Sequence, residues 1–419
     1  MIEDAIVKKY DNYSIIDIKE NKFKTNSLVF SYKYKTNKND FLYFYVLTAL
    51  LFLKNNKYNT KRKYNNKILD LYNPRLNCSF STSGKYIIFR TKITFLKEKY
   101  TEKGMDKKSI NFFFKSLFEP YIVNEEFDNE TFNTEIRRIC DDIKSIKDNP
   151  DSYSRERLKQ VFNMDTSFCY TLMDKDEEIK KLTSKELYLF YKRIINNGEL
   201  IISFIGDTNF NYIKAADGYL KNRNNEVFNE NHMENLKVRK QVNEVVETIS
   251  TSQSRLNMLY IYDELTDFEC KYVLRVLDFI LGGSADSKLF KEVREKNSLC
   301  YRISSGSNRL NNTMIIRAGI NAQNYEKTKE LIEKQISSLK KGDFDDEDIE
   351  KAIISYKTAC KEILDSPLSI LSSYLGKIYG TSDLLDERKK NIEKVTKKDV
   401  IVLANKLHLD TIYFLKGDE

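Results

Sequence analysis

The chain has 419 residues, of which 41% are hydrophobic and 12% aromatic, and this composition excludes global disorder. At roughly 150 residues per domain, the length predicts two or three domains. Lys and Arg exceed Asp and Glu by 70 − 62 = 8 charges in a chain that is 32% charged. Because no recognisable binding module accompanies this small excess, we expect no nucleic-acid partner.

Histidine and cysteine usage limits the chemistry that is open to one copy of the chain. The two histidines, His232 and His408, lie far apart in sequence, so they do not form a pair of neighbouring metal ligands. The six cysteines have no C-x-x-C spacing and are predicted to be reduced, partly buried thiols in a cytoplasmic protein. They are Cys78, Cys140, Cys169, Cys270, Cys300 and Cys360.

The first elements of the chain argue against export and membrane insertion. The opening MIEDAIVKKYD has early acids and no apolar core of a signal peptide. The apolar run from Phe41 to Leu53 has thirteen residues, which is too short to span a bilayer. We therefore expect a soluble protein in which this run forms a buried helix.

Strand and helix patterns alternate along both halves of the chain. Helices are predicted over Phe41–Leu53, around Ile110–Leu117 and Phe268–Leu281, and over Tyr325–Lys340. Apolar or alternating runs predict strands at Ser14–Ile18, Thr25–Tyr34, Gly84–Leu96, Val245–Ser250, Leu256–Tyr262, Leu299–Ser307 and Thr313–Ile320. This mixed order predicts an α/β (α+β) fold, in which a mostly antiparallel sheet carries helices packed on one face.

Two segments of the first half recur in the second half. The acidic start at Phe127 and the turn at Pro150 recur at Phe344 and Pro367, with the same offset of 344 − 127 = 217 residues. In both copies the pattern is an acidic start, a long amphipathic helix, a proline turn and another helix.

A second match follows in the same order. Leu182–Asp207 resembles Val395–Asp418, and each starts with a threonine placed to cap a helix and ends in an apolar strand closed by Gly-Asp. Duplication predicts one domain over 1–217, a polar, Asn-rich linker over 218–240 and a second domain over 241–419. His232 falls in this linker and is predicted to be solvated.

The most informative stretch runs from Leu277 to Ser307. An apolar helix ends at Gly282-Gly283, which we expect to be turn glycines with unusual φ, and a short helix over Ser287–Lys296 follows. A turn then leads to a strand near Leu299. Arg294 and Tyr301 lie seven residues apart across this corner, where a guanidinium and a phenol can donate hydrogen bonds to a peptide carbonyl or its oxyanion. Cys300 between them is interpreted as a small buried residue.

The run LGGSADSKLFKEVREKNSLCY resembles the signature of the C-terminal half of the pitrilysin/insulinase metallopeptidases. That signature has a Gly-rich turn (here Gly282 and Gly283), then Ser-x-Leu-Phe and Arg-Glu-x-x-x-Leu-x-Tyr. Its arginine and tyrosine correspond to Arg294 and Tyr301. The resemblance extends over essentially the whole chain and implies two similar α/β halves, joined by a linker into a half-shell.

The zinc-binding half of the family pattern is absent from the sequence. Active members carry H-x-x-E-H on an early helix and a downstream Glu, with which they hold zinc and activate its water. The corresponding run, Phe41–Leu53, contains no His, Asp, Glu or Cys. We therefore expect no metal or other cofactor in this chain and no peptidase activity from it alone.

The resemblance implies the non-catalytic subunit of a heterodimeric peptidase. A zinc-bearing partner of the same family would hold the metal and add a substrate peptide to its sheet edge. Arg294 and Tyr301 would orient that peptide and stabilise the oxyanion. The alternative is a catalytically inert peptide-binding or structural scaffold. A stable homodimer without hydrolytic activity would support this alternative.

Overall fold

The computed structural model of the chain describes residues 5–418 and divides into two spatial units. Unit 1 contains the residues up to Lys144, together with Asp174–Glu230 and Ser366–Leu375. Unit 2 contains Ser145–Met173, Asn231–Asp365 and the residues from Gly376 onward. Each unit therefore takes one short segment from the other half of the chain.

Thirteen strands are present in the described residues. They are β1 (Ala5–Lys9), β2 (Ser14–Lys19), β3 (Thr25–Lys35), β4 (Arg75–Ser83), β5 (Tyr86–Leu96), β6 (Ile122–Val123), β7 (Glu126–Phe127), β8 (Glu199–Gly206), β9 (Asn243–Ile249), β10 (Ser254–Tyr262), β11 (Cys300–Asn308), β12 (Thr313–Ile320) and β13 (Leu407–Gly417). All seven strands expected from the sequence pattern are among them.

The same part of the chain has fourteen α-helices. They are α1 (Asp40–Leu50), α2 (Lys61–Asp70), α3 (Met105–Phe118), α4 (Asn129–Ser145), α5 (Pro150–Phe162), α6 (Asp176–Lys180), α7 (Ser184–Asn197), α8 (Tyr212–Leu220), α9 (Leu274–Asp278), α10 (Tyr325–Lys340), α11 (Asp346–Glu362), α12 (Pro367–Ile378), α13 (Leu385–Ile392) and α14 (Lys397–Asn405). Segments of π-helix cover Glu269–Val273, Phe279–Gly283 and Phe290–Lys296, and 3₁₀ turns cover Glu98–Tyr100, Ile146–Asp148, Ser167–Cys169, Ala322–Asn324 and Ile363–Asp365.

Unit 1 is built on a six-stranded sheet in the order β1-β2-β8-β3-β5-β4. Only the pairing of β2 with β8 is parallel. Helix α3 packs on this sheet through aromatic side chains, because the ring of Phe30 on β3 lies 5.7 Å from that of Phe113 and 5.8 Å from that of Phe114. These edge-to-face contacts lie in the buried core, where all three rings are at most 1% exposed.

Unit 2 is built on a five-stranded sheet in the order β11-β12-β10-β13-β9, with only β13 and β9 parallel. Alternate residues of β10 point to opposite faces, as the period of a strand requires. Leu256, Met258 and Tyr260 join the large core beneath the helices, whereas Leu259 and Ile261 pack with residues of α5 on the other face. Helix α5 thus covers part of the second face of this sheet.

The repeat in the sequence is also a repeat of structure. Helices α4 and α11 each have 17 residues, and each leads through a 3₁₀ turn to a helix that begins with proline. Thr183 and Thr396 are the N-caps of α7 and α14 and form capping boxes with the residue at the third helical position. The predicted duplication of local structure is confirmed at these elements.

The segment expected to be a polar linker has no regular structure between α8 and β9, but parts of it are buried. The prediction that His232 is solvated is wrong: its side chain is 2% exposed, and its ring lies 5.3 Å from that of Tyr379. Arg223 is also buried and donates to the carbonyl oxygen of Ile195 over 3.1 Å. Tertiary contacts therefore fix a segment whose composition is typical of a flexible one.

The predicted α/β class with mostly antiparallel sheets is confirmed by both units. Between residues 5 and 418, no helix combines the length and the apolar character that a membrane crossing needs. The apolar run expected to form a buried helix corresponds to α1, where Phe44, Val46, Leu47 and Leu50 are buried.

Candidate functional site

The corner that carries Arg294 and Tyr301 starts with a close approach of two backbones. A Cβ atom on Gly282 would lie 2.6 Å from the amide nitrogen of Ser305 on β11 and 3.0 Å from Cδ1 of Leu289. Neither Gly282 nor Gly283 has a positive φ, so the expectation of unusual backbone angles is wrong. Gly282 is needed because the helix end lies against the strand with no space for a side chain.

We expect Gly282→Ala to destabilise unit 2 by about 1–3 kcal/mol, because the new methyl group must displace the backbone of β11. Gly306→Ala is the matched control on the same strand, since a Cβ there would meet nothing within 4 Å. The free energies of unfolding are measured in urea. Equal stabilities of the two variants would contradict the close approach.

Arg294 lies in the last turn of the π-helical segment Phe290–Lys296 and is exposed. Its guanidinium carbon is 4.5 Å from the centre of the Phe290 ring, a cation–π contact that orients the side chain.

Burial raises the pKa of the neighbouring Cys300 thiol to about 11, and the charge of Arg294 opposes this rise only in part. The interpretation of Cys300 as a buried, unreactive thiol is confirmed by its burial.

A tight turn sets the spacing between Arg294 and the strand. Ser298 has a φ of 50°, and its amide donates to the carbonyl oxygen of Arg294 over 3.1 Å. The side-chain amide of Asn297 donates to the carbonyl oxygen of Glu292 over 2.7 Å. The turn predicted between the short helix and the strand is confirmed; it lies at Asn297-Ser298 and leads into β11.

Tyr301 lies at an irregularity of β11. Cys300 pairs with Ile320 and Arg302 with Gly319, so Tyr301 is the extra residue of a β-bulge at the edge of the sheet. Its side chain is 63% exposed. A bulge turns a side chain away from the regular pleat, and this one presents a phenol to the space beside the sheet.

Tyr301 borders a cavity of about 350 Å³ within unit 2, which we call the arginine cavity. Arg294 is not among the residues that line it. The lining residues are Asp151, Ser154, Arg155, Gln253, Arg255, Leu256, Asn257, Tyr301, Arg302, Ser304, Arg317, Ala318 and Gly319. The structure thus places Tyr301 at a site that the sequence did not indicate.

The strand register explains how the arginines meet. Gly319 on β12 lies opposite both Arg255 on β10 and Arg302 on β11, while Arg317 lies opposite Asn257 and Ser304. These positions share the face that α5 covers in part, and α5 contributes Arg155 from its first turns. No signal in the linear sequence gives this register, because each of the three strands contributes a single arginine.

Positive charge in the arginine cavity is poorly balanced. Asp151 is the only acid in its described lining, and it lies 3.2 Å from Arg155 and 3.9 Å from Arg255, measured between nitrogen and oxygen atoms. Burial, together with the charges of Arg155 and Arg302, lowers the pKa of Arg317, against the opposing effect of Asp151. The buried Nε of Arg317 has no hydrogen-bond partner.

Helix α1, in the place where active relatives would carry the zinc motif, is filled by aromatic packing. The Phe44 ring lies 5.6 Å from Phe80, 5.8 Å from Phe89 and 4.9 Å from Phe190. The single acid of α1, Asp40, forms an ion pair with Arg193 over 2.7 Å. These residues do not fit a zinc ion, and within residues 5–418 no three His, Cys, Asp or Glu side chains are grouped to hold one.

The remaining chemistry-bearing residues lie apart from this corner. His408 is 2.9 Å from Asp263, measured from Nε2 to Oδ2, and His232 packs on Tyr379. All six cysteines are free thiols, and four of them are buried. None of these residues lines the arginine cavity.

The chain has two α/β units, a corner that carries Arg294 and Tyr301, and a first helix whose residues do not fit zinc. Together these features describe a metallopeptidase-like protein without a metal site of its own in the described residues. Residues 181–356 match the family described as the Peptidase M16 inactive domain. Over these residues the chain is similar to a peptidase-like domain of the M16 family, whose description names it inactive. The resemblance to the pitrilysin/insulinase peptidases is confirmed.

The chain is also similar to two curated relatives and, in its fold, to a solved structure. The chain is 27% identical over 409 residues to the "Probable inactive metalloprotease YmfF" of Bacillus subtilis (strain 168), covering 96% of this chain and 95% of the relative. It is 22% identical over 277 residues to the "Uncharacterized zinc protease YmxG" of the same bacterium, covering 64% of each. A conserved protein from Enterococcus faecalis V583 has the same fold, with a TM-score of 0.89, 22% identity and 99% coverage of both chains.

Proposed function

We propose that this chain is the non-catalytic subunit of a cytoplasmic, heterodimeric insulinase-type zinc peptidase. The zinc would belong to a partner subunit of the same family. This chain would bind and orient the substrate peptide and stabilise the oxyanion that forms at the scissile carbonyl. No peptide is cleaved by the chain alone.

The observation that carries the proposal is the exposed phenol of Tyr301 at the bulge of β11, in a chain whose α1 is unfit for metal. An exposed tyrosine on an edge strand has no packing role that explains its position. A phenol O–H is a good donor to a peptide carbonyl, and Arg294 can add a charged donor. Both side chains are exposed and therefore accessible to a substrate that the partner subunit would hold.

The two Bacillus subtilis relatives support the division of labour. One bears a name that describes it as inactive, and the other bears a name that describes it as a zinc protease. One bacterium thus contains both kinds of relative of this chain. By analogy, a zinc-bearing relative is the expected partner here, and a peptide is the expected substrate.

The proposal is tested by mixing. The purified chain and a candidate partner with the H-x-x-E-H motif, from the same genome, are assayed separately and together on a quenched-fluorescence peptide library. We expect cleavage only in the mixture, abolished by a zinc chelator, and a one-to-one complex in size-exclusion chromatography. A stable homodimer that neither binds the partner nor raises its cleavage rate would instead identify an inert scaffold.

A further inference from the structure

We propose that the arginine cavity of unit 2 binds a carboxylate group of an acidic peptide. The choice of a peptide over other anions rests on the proposed function, and the inference adds the chemical class of the substrate. The carboxylate belongs to an acidic side chain or to the peptide's C-terminus. Tyr301, which borders the cavity, then places this carboxylate next to the bond to be cleaved.

The charge of the cavity calls for an anion. Four arginines and one aspartate line it, a balance of 4 − 1 = +3 in a cavity of about 350 Å³. Asp151 is shared between Arg155 and Arg255. Neither Arg302 nor Arg317 has an ion-pair partner among the described residues. Guanidinium groups gathered in this way repel one another unless a negative charge joins them.

Arg317 supplies the most specific part of the site. Its Nε is buried and lacks an acceptor, although a buried donor without a partner costs free energy. A planar guanidinium presents paired N–H groups that match the two oxygens of a carboxylate. A bound carboxylate would satisfy this donor and at the same time neutralise the repulsion from Arg155 and Arg302.

Helix α5 strengthens the same field. It begins at Pro150, and its residues Asp151, Ser154 and Arg155 line the cavity from the first two turns. The N-terminal end of a helix carries a partial positive charge, which favours an anion nearby. The side-chain amide of Asn257 donates to Ser154 Oγ over 2.5 Å, so α5 and β10 are joined where these two residues line the cavity.

The size and shape of the cavity favour a peptide over a nucleic acid. Its volume is at the lower end of the range for small-ligand pockets, about 300–1,000 Å³, and holds one or two amino-acid residues. A nucleic acid needs a continuous basic track for successive phosphates. Here the arginines converge on one concave space beside an edge strand.

The test measures binding to the intact chain without any partner. Four unlabelled octapeptides are compared by isothermal titration calorimetry: a Glu-rich sequence and its Gln counterpart, each with a free or an amidated C-terminus. We expect a peptide with a carboxylate to bind at least tenfold more tightly than the peptide with none, and the difference to shrink at high salt. Loss on Glu-to-Gln exchange identifies a side-chain carboxylate, and loss on amidation identifies the C-terminus.

Two variants and one control connect the binding to the cavity. Arg302→Gln on the exposed side of β11 and Arg317→Gln should each weaken carboxylate binding about tenfold or more, as expected for a lost charge-assisted hydrogen bond. Arg62 is an exposed arginine of α2 in unit 1, so Arg62→Gln should leave the affinity for the carboxylate peptide unchanged. Circular dichroism checks folding, and Arg302→Gln carries the test if Arg317→Gln does not fold.

Two results would overturn the inference: equal affinity for all four peptides, or tighter binding of a single-stranded oligonucleotide that the two arginine variants abolish. Because the measurement uses the lone chain and needs no cleavage, it fails or succeeds separately from the mixing experiment. If the mixture cleaves peptides but the lone chain shows no preference for a carboxylate, the inferred substrate class is wrong and the proposed function stands.

Discussion

Replacing Arg294 by alanine should lower peptide cleavage by the mixture of this chain and a zinc-bearing partner by about 10²- to 10³-fold. In the proposed complex this substitution would remove a charged donor to the oxyanion, where negative charge develops only in the transition state. Tyr301→Phe removes one O–H and keeps the ring, so its effect should be of similar size. Steady-state rates on one quenched-fluorescence peptide give both values.

Lys291→Ala is the control for Arg294→Ala. Lys291 lies on the same helical segment, is half exposed and pairs only loosely with Asp286 over 3.7 Å. Its loss removes one surface cation without touching the proposed donors, and cleavage should remain at the wild-type rate. Size-exclusion chromatography shows that each variant still joins the partner. Wild-type cleavage by an assembled Arg294→Ala complex would remove the proposed role.

The split between kcat and KM shows how the two residues act. A donor used only in the transition state lowers kcat, whereas one that merely holds the peptide raises KM. Tyr301 is 63% exposed in the lone chain, where water competes for its hydrogen bond. Its full effect therefore requires that partner and substrate cover it, and this makes the loss specific to the complex.

Local elements of the fold could be predicted from the sequence because their causes are local. Helix α10 begins and ends at the predicted residues, Tyr325 and Lys340, since its apolar period is regular. The caps at Thr183 and Thr396 followed from a hydroxyl residue placed just before an amphipathic run. The lack of His, Asp, Glu and Cys in the run Phe41–Leu53 could be seen from residue types alone.

Non-local features could not be predicted in this way. Strand β4 was not predicted: Leu76, Cys78 and Phe80 do alternate with polar residues, but this edge strand is mostly exposed and none of its residues is fully buried. The arginine cavity depends on the pairing register of three strands and on α5, which joins unit 2 from the first half of the chain. Gly282 was recognised, but its role depends on the approach of Ser305, which lies 23 residues further along (305 − 282).

The linker shows how tertiary contacts override composition. Arg239 lies in its polar, Asn-rich sequence, yet its guanidinium donates to Asp410 Oδ1 and to Thr411 Oγ1, each over 2.9 Å. It also donates to the carbonyl oxygen of Phe162. The carboxylate of Asp410 is fully buried, so these bonds join the end of the linker to strand β13 of unit 2.

We expect Arg239→Met to lower the free energy of unfolding by about 3 kcal/mol, because it leaves the buried carboxylate of Asp410 without its cation. The midpoint and slope of urea denaturation give this value. Arg155→Met is the control in the same unit, since Arg155 pairs with Asp151 while both side chains are about half exposed. Its cost should stay under about 1 kcal/mol.

A second substitution separates the buried charge from the lost contacts. After the loss of Arg239, Asp410 still accepts from the backbone amide of residue 239 over 2.9 Å and from Thr411 Oγ1 over 2.7 Å. Adding Asp410→Asn to Arg239→Met removes the uncompensated charge and should therefore recover part of the lost stability. If the double variant is less stable than Arg239→Met by the full cost of a further lost interaction, hydrogen bonding rather than the buried charge fixes the linker. Recovery instead means that the main cost of losing Arg239 is the unpaired buried charge of Asp410, so the ion pair holds the linker to β13 chiefly by neutralising that charge.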